Sequence, residues 1–317
     1  MQDIYEAQKA IKGVASRTPL LYSPYISKLA RSRVHLKLEN FQPIRVFKIR
    51  GATYKIMNIP PGKKIVAASS GNHGYAVAYV CNLLGRSAMI FVPETANPDK
   101  VSAIKDCGAE LKQVGRDFED AYEEAARFCQ TTDAVLVHAY DDPMVMAGQG
   151  TIGLEILEDN PQVDTVVVPI GGGGLIGGIA FALKSLKKSI RVVGVQSENA
   201  PQMLEAIRLG KPVRVELKPT IADGMFISLA SESMLQVAKD CVDEIVLVSD
   251  FDLEKAMLTM LRSDHVLAEP CGAASVAAVM NGSIDGIGRE TVAVVSGGNI
   301  SIDYLIKLLQ SNHMTIR

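Results

Sequence analysis

The sequence predicts an α/β protein built on two open, twisted, mostly parallel sheets flanked by helices, arranged as a larger and a smaller domain. Three observations lead there. Short apolar β-type runs alternate with amphipathic stretches along most of the 317 residues, the pattern of parallel sheets covered on both faces. Several of these runs end in Gly-, Ser- or Asn-rich turns that pass at once into a helical stretch, as at 69–74 and 171–174. Pro60-Pro61-Gly62 breaks the series once, which marks a domain crossing. Hydrophobic residues make up 48% and charged residues 21%, ordinary values for a globular chain able to form its own core.

Residues 34–38 alternate apolar and polar side chains, as a strand with an exposed face does. A helix follows over 47–57. Beyond the proline break, strands are expected at 64–68, 88–92, 110–114 and 134–137, with helices at 74–84, 98–107 and 117–130 between them. A second series places strands at 165–170, 191–196, 244–248 and 291–295. Its helices fall at 148–157, 175–186, 201–209, 252–262 and 273–280. The domains implied are 1–60 with 142–317 as the larger and 61–141 as the smaller.

Composition excludes several function classes. A net charge of -2 gives no pull toward nucleic acid or an anionic membrane. Five scattered cysteines, odd in number and never in a CxxC pair, argue against disulfides or zinc and for a reducing, cytoplasmic setting. The opening MQDIYEAQKAIKG reads as amphipathic and mixed in charge, unlike a leader. Residues 165–183 carry no charge, yet PIGGGGLIGG at their centre suits a strand, turn and helix better than a membrane span.

Four segments carry chemistry. In VVVPI-GGGG-LIGG, a buried strand ends in Gly171, Gly172, Gly173 and Gly174 and a helix begins. Inward-turned N–H groups and a helix N-terminus make a phosphate cradle there; a close-packed turn is the plainer alternative. Gly172-x-Gly174-x-x-Gly177 also fits a dinucleotide pattern, but Gln196 stands where an acidic ribose ligand belongs. In FKIRGA, Lys48 stands at a helix start near Arg45 and Arg50, where the dipole and like charges favour the neutral, nucleophilic amine. A solvated surface lysine is the alternative. Ser69, Ser70, Gly71, Asn72, His73 and Gly74 follow a strand and offer an anion site at its C-terminal end, or simply cap the next helix. Ser296, in SGGN after the last strand, offers a hydroxyl at the same edge.

These segments, in this order, resemble the fold-type II pyridoxal-phosphate family of serine/threonine dehydratases (ammonia-lyases) and serine racemases. RTPL (17–20), KLENFQ (37–42), GQGTIGLEIL (148–157), ADG (222–224) and EPCGAA (269–274) extend the resemblance over nearly the whole chain. It implies the tryptophan synthase β-like fold, with pyridoxal 5'-phosphate in a cleft between the domains. Lys48 would bear the cofactor, Phe47 back its ring, and Asn72 bond the ring hydroxyl. The amides of Gly171 to Gly174 would hold the phosphate and Ser296 would face the pyridine nitrogen. Ser69, Ser70, Gly71, Asn72 and His73 would take the substrate carboxylate.

The activity implied is deamination of L-threonine or L-serine to a 2-oxo acid and ammonia by β-elimination, in a homodimer. Ser70 keeps a racemase open, because it would be the second acid–base group, on the face opposite Lys48. A weak pseudoenzyme that binds the cofactor is an alternative of another class. Among the departures from the family, two fall on site residues. Ile44-Arg45-Val46 replaces the usual Thr-Gly-Ser before Phe-Lys, which puts substrate fit in question. Gln196, Ala200 and Gln202 stand where metal-binding relatives use Glu, an Ala carbonyl and Asp, so no tight metal is expected.

Overall fold

The computed structural model describes residues 1–96, 98–116 and 118–311. The chain opens with α1 (Gln2–Ala10), β1 (Leu20–Tyr22), α2 (Pro24–Ala30), β2 (Arg33–Leu38) and α3 (Lys48–Met57). Strands and helices then alternate: β3 (Ile65–Ala68), α4 (Asn72–Leu83), β4 (Ala88–Val92), α5 (Pro98–Asp106), β5 (Glu110–Gln113), α6 (Phe118–Thr131) and β6 (Val135–Leu136). Next come α7 (Pro143–Asp159), β7 (Thr165–Pro169), α8 (Gly174–Leu186), β8 (Arg191–Ser197), α9 (Gln202–Leu209) and α10 (Glu232–Cys241). The series ends with β9 (Glu244–Val248), α11 (Asp250–Ser263), α12 (Pro270–Asn281), β10 (Glu290–Val295) and α13 (Ile302–Gln310). Asp117, the first residue of the helix expected at 117–130, lies outside the described residues.

Contacts divide the chain into two units, Met1–Ser16 with Phe47–Thr151 and Arg17–Val46 with Ile152–Arg317. The division drawn from sequence, 61–141 against the rest, separates the same two sheets. The two schemes differ in where they put α1, α3 and the first half of α7.

The first unit holds a four-stranded sheet ordered β5-β4-β3-β6, parallel throughout. Every residue of β3 and β4 is buried, which is why IVAA and AMIFV read as continuous apolar runs without alternation. Phe91 and Val66 pack against Ala121 and Ala125 of α6.

The second unit holds a six-stranded sheet ordered β1-β2-β10-β7-β8-β9, parallel except for the antiparallel β1–β2 pair. The Ala-rich α12 is buried from Cys271 to Val279. Small side chains let it lie close to the strands: a Cβ at Gly272 would fall 2.1 Å from the Gly297 carbonyl oxygen. Pro270 opens this helix and Gly282, at φ 76°, closes it, the usual division of those two residues between helix ends.

One expectation for β2 fails. Its alternation suggests that Lys37 faces water, yet Lys37 is fully buried, with Nζ donating to Glu155 Oε2 at 2.6 Å and the Thr18 carbonyl at 2.7 Å. The second half of α7 covers that face and supplies the carboxylate, without which the ammonium could not be buried. The uncharged stretch 165–183 is β7, a glycine turn and most of α8. Among the described residues no helix is long and apolar enough to cross a membrane.

Candidate active site

In the first unit, Phe47 caps α3 without a side-chain hydrogen bond and Lys48 is its first residue. Lys48 Nζ donates to the Ala139 carbonyl at 2.7 Å and lies 5.1 Å from the centre of the Phe47 ring. Arg50, two residues on, is buried, donating to Thr151 Oγ1 at 3.0 Å and the Ser16 carbonyl at 3.1 Å.

The Ser69–His73 turn leaves the C-terminal end of β3, and Gly71 caps α4. Ser69, Ser70, Gly71 and Asn72 are half-buried, and Ser69 Oγ accepts the Gly71 N–H at 3.1 Å. The turn folds tightly over the first helical turn, since a Cβ at Gly74 would meet the Ser69 carbonyl oxygen at 2.1 Å. His73 is buried and its Nε2 bonds the Val137 carbonyl at 2.8 Å. Burial first, then the Lys48 charge, push it down to about 3, so it stays neutral and anchors the turn.

The segment 137–142, between β6 and α7, carries no motif in the sequence. Its Val137 and Ala139 carbonyls take His73 and Lys48. His138 Nδ1 accepts the N–H groups of Tyr140 at 3.2 Å and Asp141 at 2.8 Å. Its pKa is lowered, chiefly by burial and also by Lys48. Nothing local marks this segment, because its partners lie 64 and 91 residues away.

In the second unit, β7 runs into the four glycines and Gly173, at φ 100°, caps α8. That backbone angle strains any side chain, and a Cβ there would also meet Met234 at 3.2 Å. A Cβ on Gly171 would lie 2.4 Å from the carbonyl oxygen of Gly224, within ADG. The first amides of α8, at Gly174 onward, have no partner within the helix. Gln202 Nε2 donates to the Gly171 carbonyl at 2.7 Å, and Gln196 Nε2 donates to Gln202 Oε1 at 2.8 Å. Both glutamines are fully buried, so the positions that are carboxylates in metal-binding relatives form an uncharged amide chain under the turn.

Ser296 is buried at the end of β10, with Oγ 3.4 Å from the Cys271 carbonyl. Ile44-Arg45-Val46 runs beside the residues that follow it. Val46 pairs with Gly297, Gly298 N–H donates to the Arg45 carbonyl at 2.8 Å, and Asn299 Nδ2 donates to the Ile44 carbonyl at 3.1 Å. Arg45 adopts φ 61°, a conformation suited to the glycine that the family pattern has there. Its side chain is exposed while Ile44 and Val46 are buried. The departure therefore keeps the turn and sends the cationic chain to solvent.

In the second unit, a glycine cradle that a Cβ would fill, with a helix N-terminus behind it, suits a phosphate; in the first, the Lys48 amine suits an aldehyde. Comparison with known proteins agrees. The family model for pyridoxal-phosphate dependent enzymes matches residues 11–297. An L-threonine ammonia-lyase of Thermotoga maritima is 42% identical over 312 residues, 98% of this chain and 78% of the relative. The catabolic L-threonine dehydratase TdcB of Staphylococcus aureus is 43% identical over 307 residues, 95% of this chain and 89% of the relative. Among solved structures, maize serine racemase superposes with a TM-score of 0.92 at 32% identity, covering 97% of this chain and 96% of its own. The threonine deaminase of T.th. gives 0.89 at 34%, covering 95% and 98%. The chain belongs to the pyridoxal-phosphate dependent enzymes, and its cofactor is pyridoxal 5'-phosphate.

Proposed function

We propose that this enzyme converts L-threonine or L-serine to the corresponding 2-oxo acid and ammonia. The observation that carries the proposal is the likeness to L-threonine ammonia-lyases over 98% of the chain. When bound, pyridoxal phosphate supplies the carbonyl that takes the substrate amine and the conjugated ring that draws electrons from its α-carbon. The chain's own residues do the rest. Lys48 bears the cofactor and its amine removes the α-proton. Gly171, Gly172, Gly173 and Gly174 hold the phosphate through their amides, Phe47 backs the ring and Asn72 bonds its hydroxyl. Ser296 would offer the pyridine nitrogen an uncharged hydroxyl in place of a carboxylate. The half-buried part of the 69–73 turn takes the substrate carboxylate, with His73 as its neutral anchor. A homodimer and a cytoplasmic setting belong to the same proposal, the latter supported by five free cysteines.

Ser70 and the likeness to maize serine racemase favour racemisation as a second reading. Incubating the loaded enzyme with L-serine, D-serine, L-threonine and 3-hydroxyaspartate, while following 2-oxo acid and enantiomers together, separates the two. Oxo acid from an L-hydroxy amino acid, abolished by Lys48→Ala, is the expected result. Enantiomer interconversion that Ser70→Ala removes while oxo acid persists makes the enzyme a racemase first. Neither product, with the cofactor normally bound, points to a pseudoenzyme, and Val46→Ser should then restore turnover.

A further inference from the structure

We infer that His138 is a positioning residue for Lys48, acting through the turn whose carbonyl holds the lysine amine. The inference rests on Lys48 being the cofactor-bearing lysine. It assigns a role to a segment that has no motif of its own.

The 137–142 segment is gripped from two helices of the first unit. The Val137 carbonyl takes His73 Nε2 from the first turn of α4, and the Ala139 carbonyl takes Lys48 Nζ from the first turn of α3. Two carbonyls of this short stretch thus serve two partners on separate helices. Lys55, seven residues beyond Lys48, lies two turns along on the same helix face. Its Nζ pairs with Asp142 Oδ2 at 2.7 Å. The other oxygen of Asp142 accepts the Met144 and Val145 N–H groups at 2.8 and 3.1 Å and so caps α7. Lys48 and Lys55 thus fasten the two ends of one turn.

His138 closes that turn from inside. A single ring nitrogen, Nδ1, accepts two backbone N–H groups, those of Tyr140 and Asp141. The ring is fixed edge-on by Tyr140, at 4.6 Å between centroids, and by Tyr122 at 5.4 Å. Accepting both N–H groups requires an unprotonated Nδ1, which assigns the ring proton to Nε2. The charges acting on the ring oppose each other: Lys48 resists its protonation, while Asp141 and Asp142 favour it. Burial is the largest influence and keeps the ring neutral. The neighbouring Tyr140 hydroxyl, pushed up to about 12 by burial, and the neutral His73 add no charge near neutral pH. A protonated ring would aim an N–H at two N–H donors, and the turn could not keep this shape. The Ala139 carbonyl would then leave the position in which it receives Lys48.

The geometry assigns the Ala139 carbonyl as a group that aims the Lys48 amine. A displaced carbonyl changes how quickly the lysine meets cofactor and how well it is aimed. It leaves the substrate-carboxylate turn in place, since His73 reaches Val137, one residue before His138.

The test compares His138→Ala with His138→Asn, whose Oδ1 sits where Nδ1 does and can accept the same two N–H groups. Three quantities are read: the rate at which apo-protein recovers the lysine-dependent visible band on adding pyridoxal phosphate, the pH midpoint of that band, and kcat against KM for L-threonine. We expect His138→Ala to slow band recovery and lower kcat by about tenfold each, with KM within about twofold, as loss of aim at the reacting group does. Its band midpoint should move, and His138→Asn should restore all three. If His138→Ala matches the wild type in recovery rate, midpoint and kcat and only melts earlier, His138 is structural alone and the inference falls. Should the alanine variant not fold, His138→Gln, whose acceptor lies one bond too far out, carries the same expectation. A wild-type band that survives Lys48→Ala would overturn the underlying reading instead, so the two failures are told apart.

Discussion

The two units shape their candidate residues by different means. In the first, side chains reach backbone carbonyls across long sequence separations: Lys48 to Ala139, His73 to Val137. In the second, the backbone itself is shaped, by Gly171, which leaves no room for a Cβ, by Gly173 at φ 100° and by a helix N-terminus. The difference suits the tasks. A moving proton needs a titratable group that can be aimed and released, whereas a phosphate of fixed charge is best met by dipoles that never reorganise. The first unit's residues should therefore respond to pH, and the second unit's glycine turn should not.

The largest effect expected comes from putting a methyl into the cradle. Gly171→Ala sets a Cβ 2.4 Å from the Gly224 carbonyl oxygen, and both partners are backbone, so the turn itself must move. Cofactor affinity should fall about 100-fold, roughly 3 kcal/mol, measured by equilibrium titration of the apo-protein. An alanine at Ser70, in the first unit's turn, should change it by less than about threefold. Equal losses at both positions would erase the distinction between a backbone-built and a side-chain-built half.

pH sharpens the same contrast. The unfolded chain protonates His73 near 6.5, while the folded chain does not until about 3. The native state thus keeps its full advantage above pH 6.5 and loses it progressively as pH falls toward 3, of the order of 5 kcal/mol in all. His35, the lowered histidine of the second unit, sits in β2 and not in the glycine turn. Between pH 7 and 4.5, amides in the first turn of α4 should lose exchange protection beyond the intrinsic rate change, while those opening α8 should not. His73→Gln should flatten the α4 response. Parallel loss in both helices would mean that the whole fold, rather than one half-site, answers to acid.

The contrast also explains what the sequence made legible. A backbone-built feature is written locally: four consecutive glycines between a β-branched run and an apolar helix announce a cradle, and the structure puts them at the end of β7 and the start of α8. The strand–helix alternation of both sheets is legible for the same reason, since periodicity is a local property. Contacts such as Lys48–Ala139 are not local, and the 137–142 segment stayed invisible. So did the burial of Lys37, which depends on Glu155 arriving from α7. The elements left unassigned are α1, α2 and β1, which precede the regular strand–helix alternation, α10, a second helix between β8 and β9, and α13, which follows the last strand.

A smaller effect tests the support beneath the cradle. Gln202→Ala removes the donor to the Gly171 carbonyl and leaves the Gln196 amide short of its partner, costing about 1 kcal/mol. Cofactor affinity should fall about fivefold. Magnesium in the millimolar range should neither restore it nor raise the unfolding temperature of the wild type, because the amide chain offers no carboxylate at either position. Saturable stabilisation by magnesium would show that the second unit relies on a charged ligand after all.

The smallest effect falls where the second unit breaks its own rule. Arg45 holds a left-handed backbone, φ 61°, without being glycine. Arg31, another such residue, is excused as the cap that ends α2, whereas Arg45 is held there by the Gln42 and Gly298 backbone on either side. The strain costs about 1–2 kcal/mol, and replacing it with glycine returns part of that to the more flexible unfolded chain. Arg45→Gly should therefore stabilise by about 0.5–1 kcal/mol in urea unfolding, with the slope unchanged. Because the side chain is exposed, turnover of L-threonine should change little. A stabilised variant with lost turnover would show that the strain is kept for the site; an unstabilised one would show that the turn depends on the arginine chain as much as on its backbone.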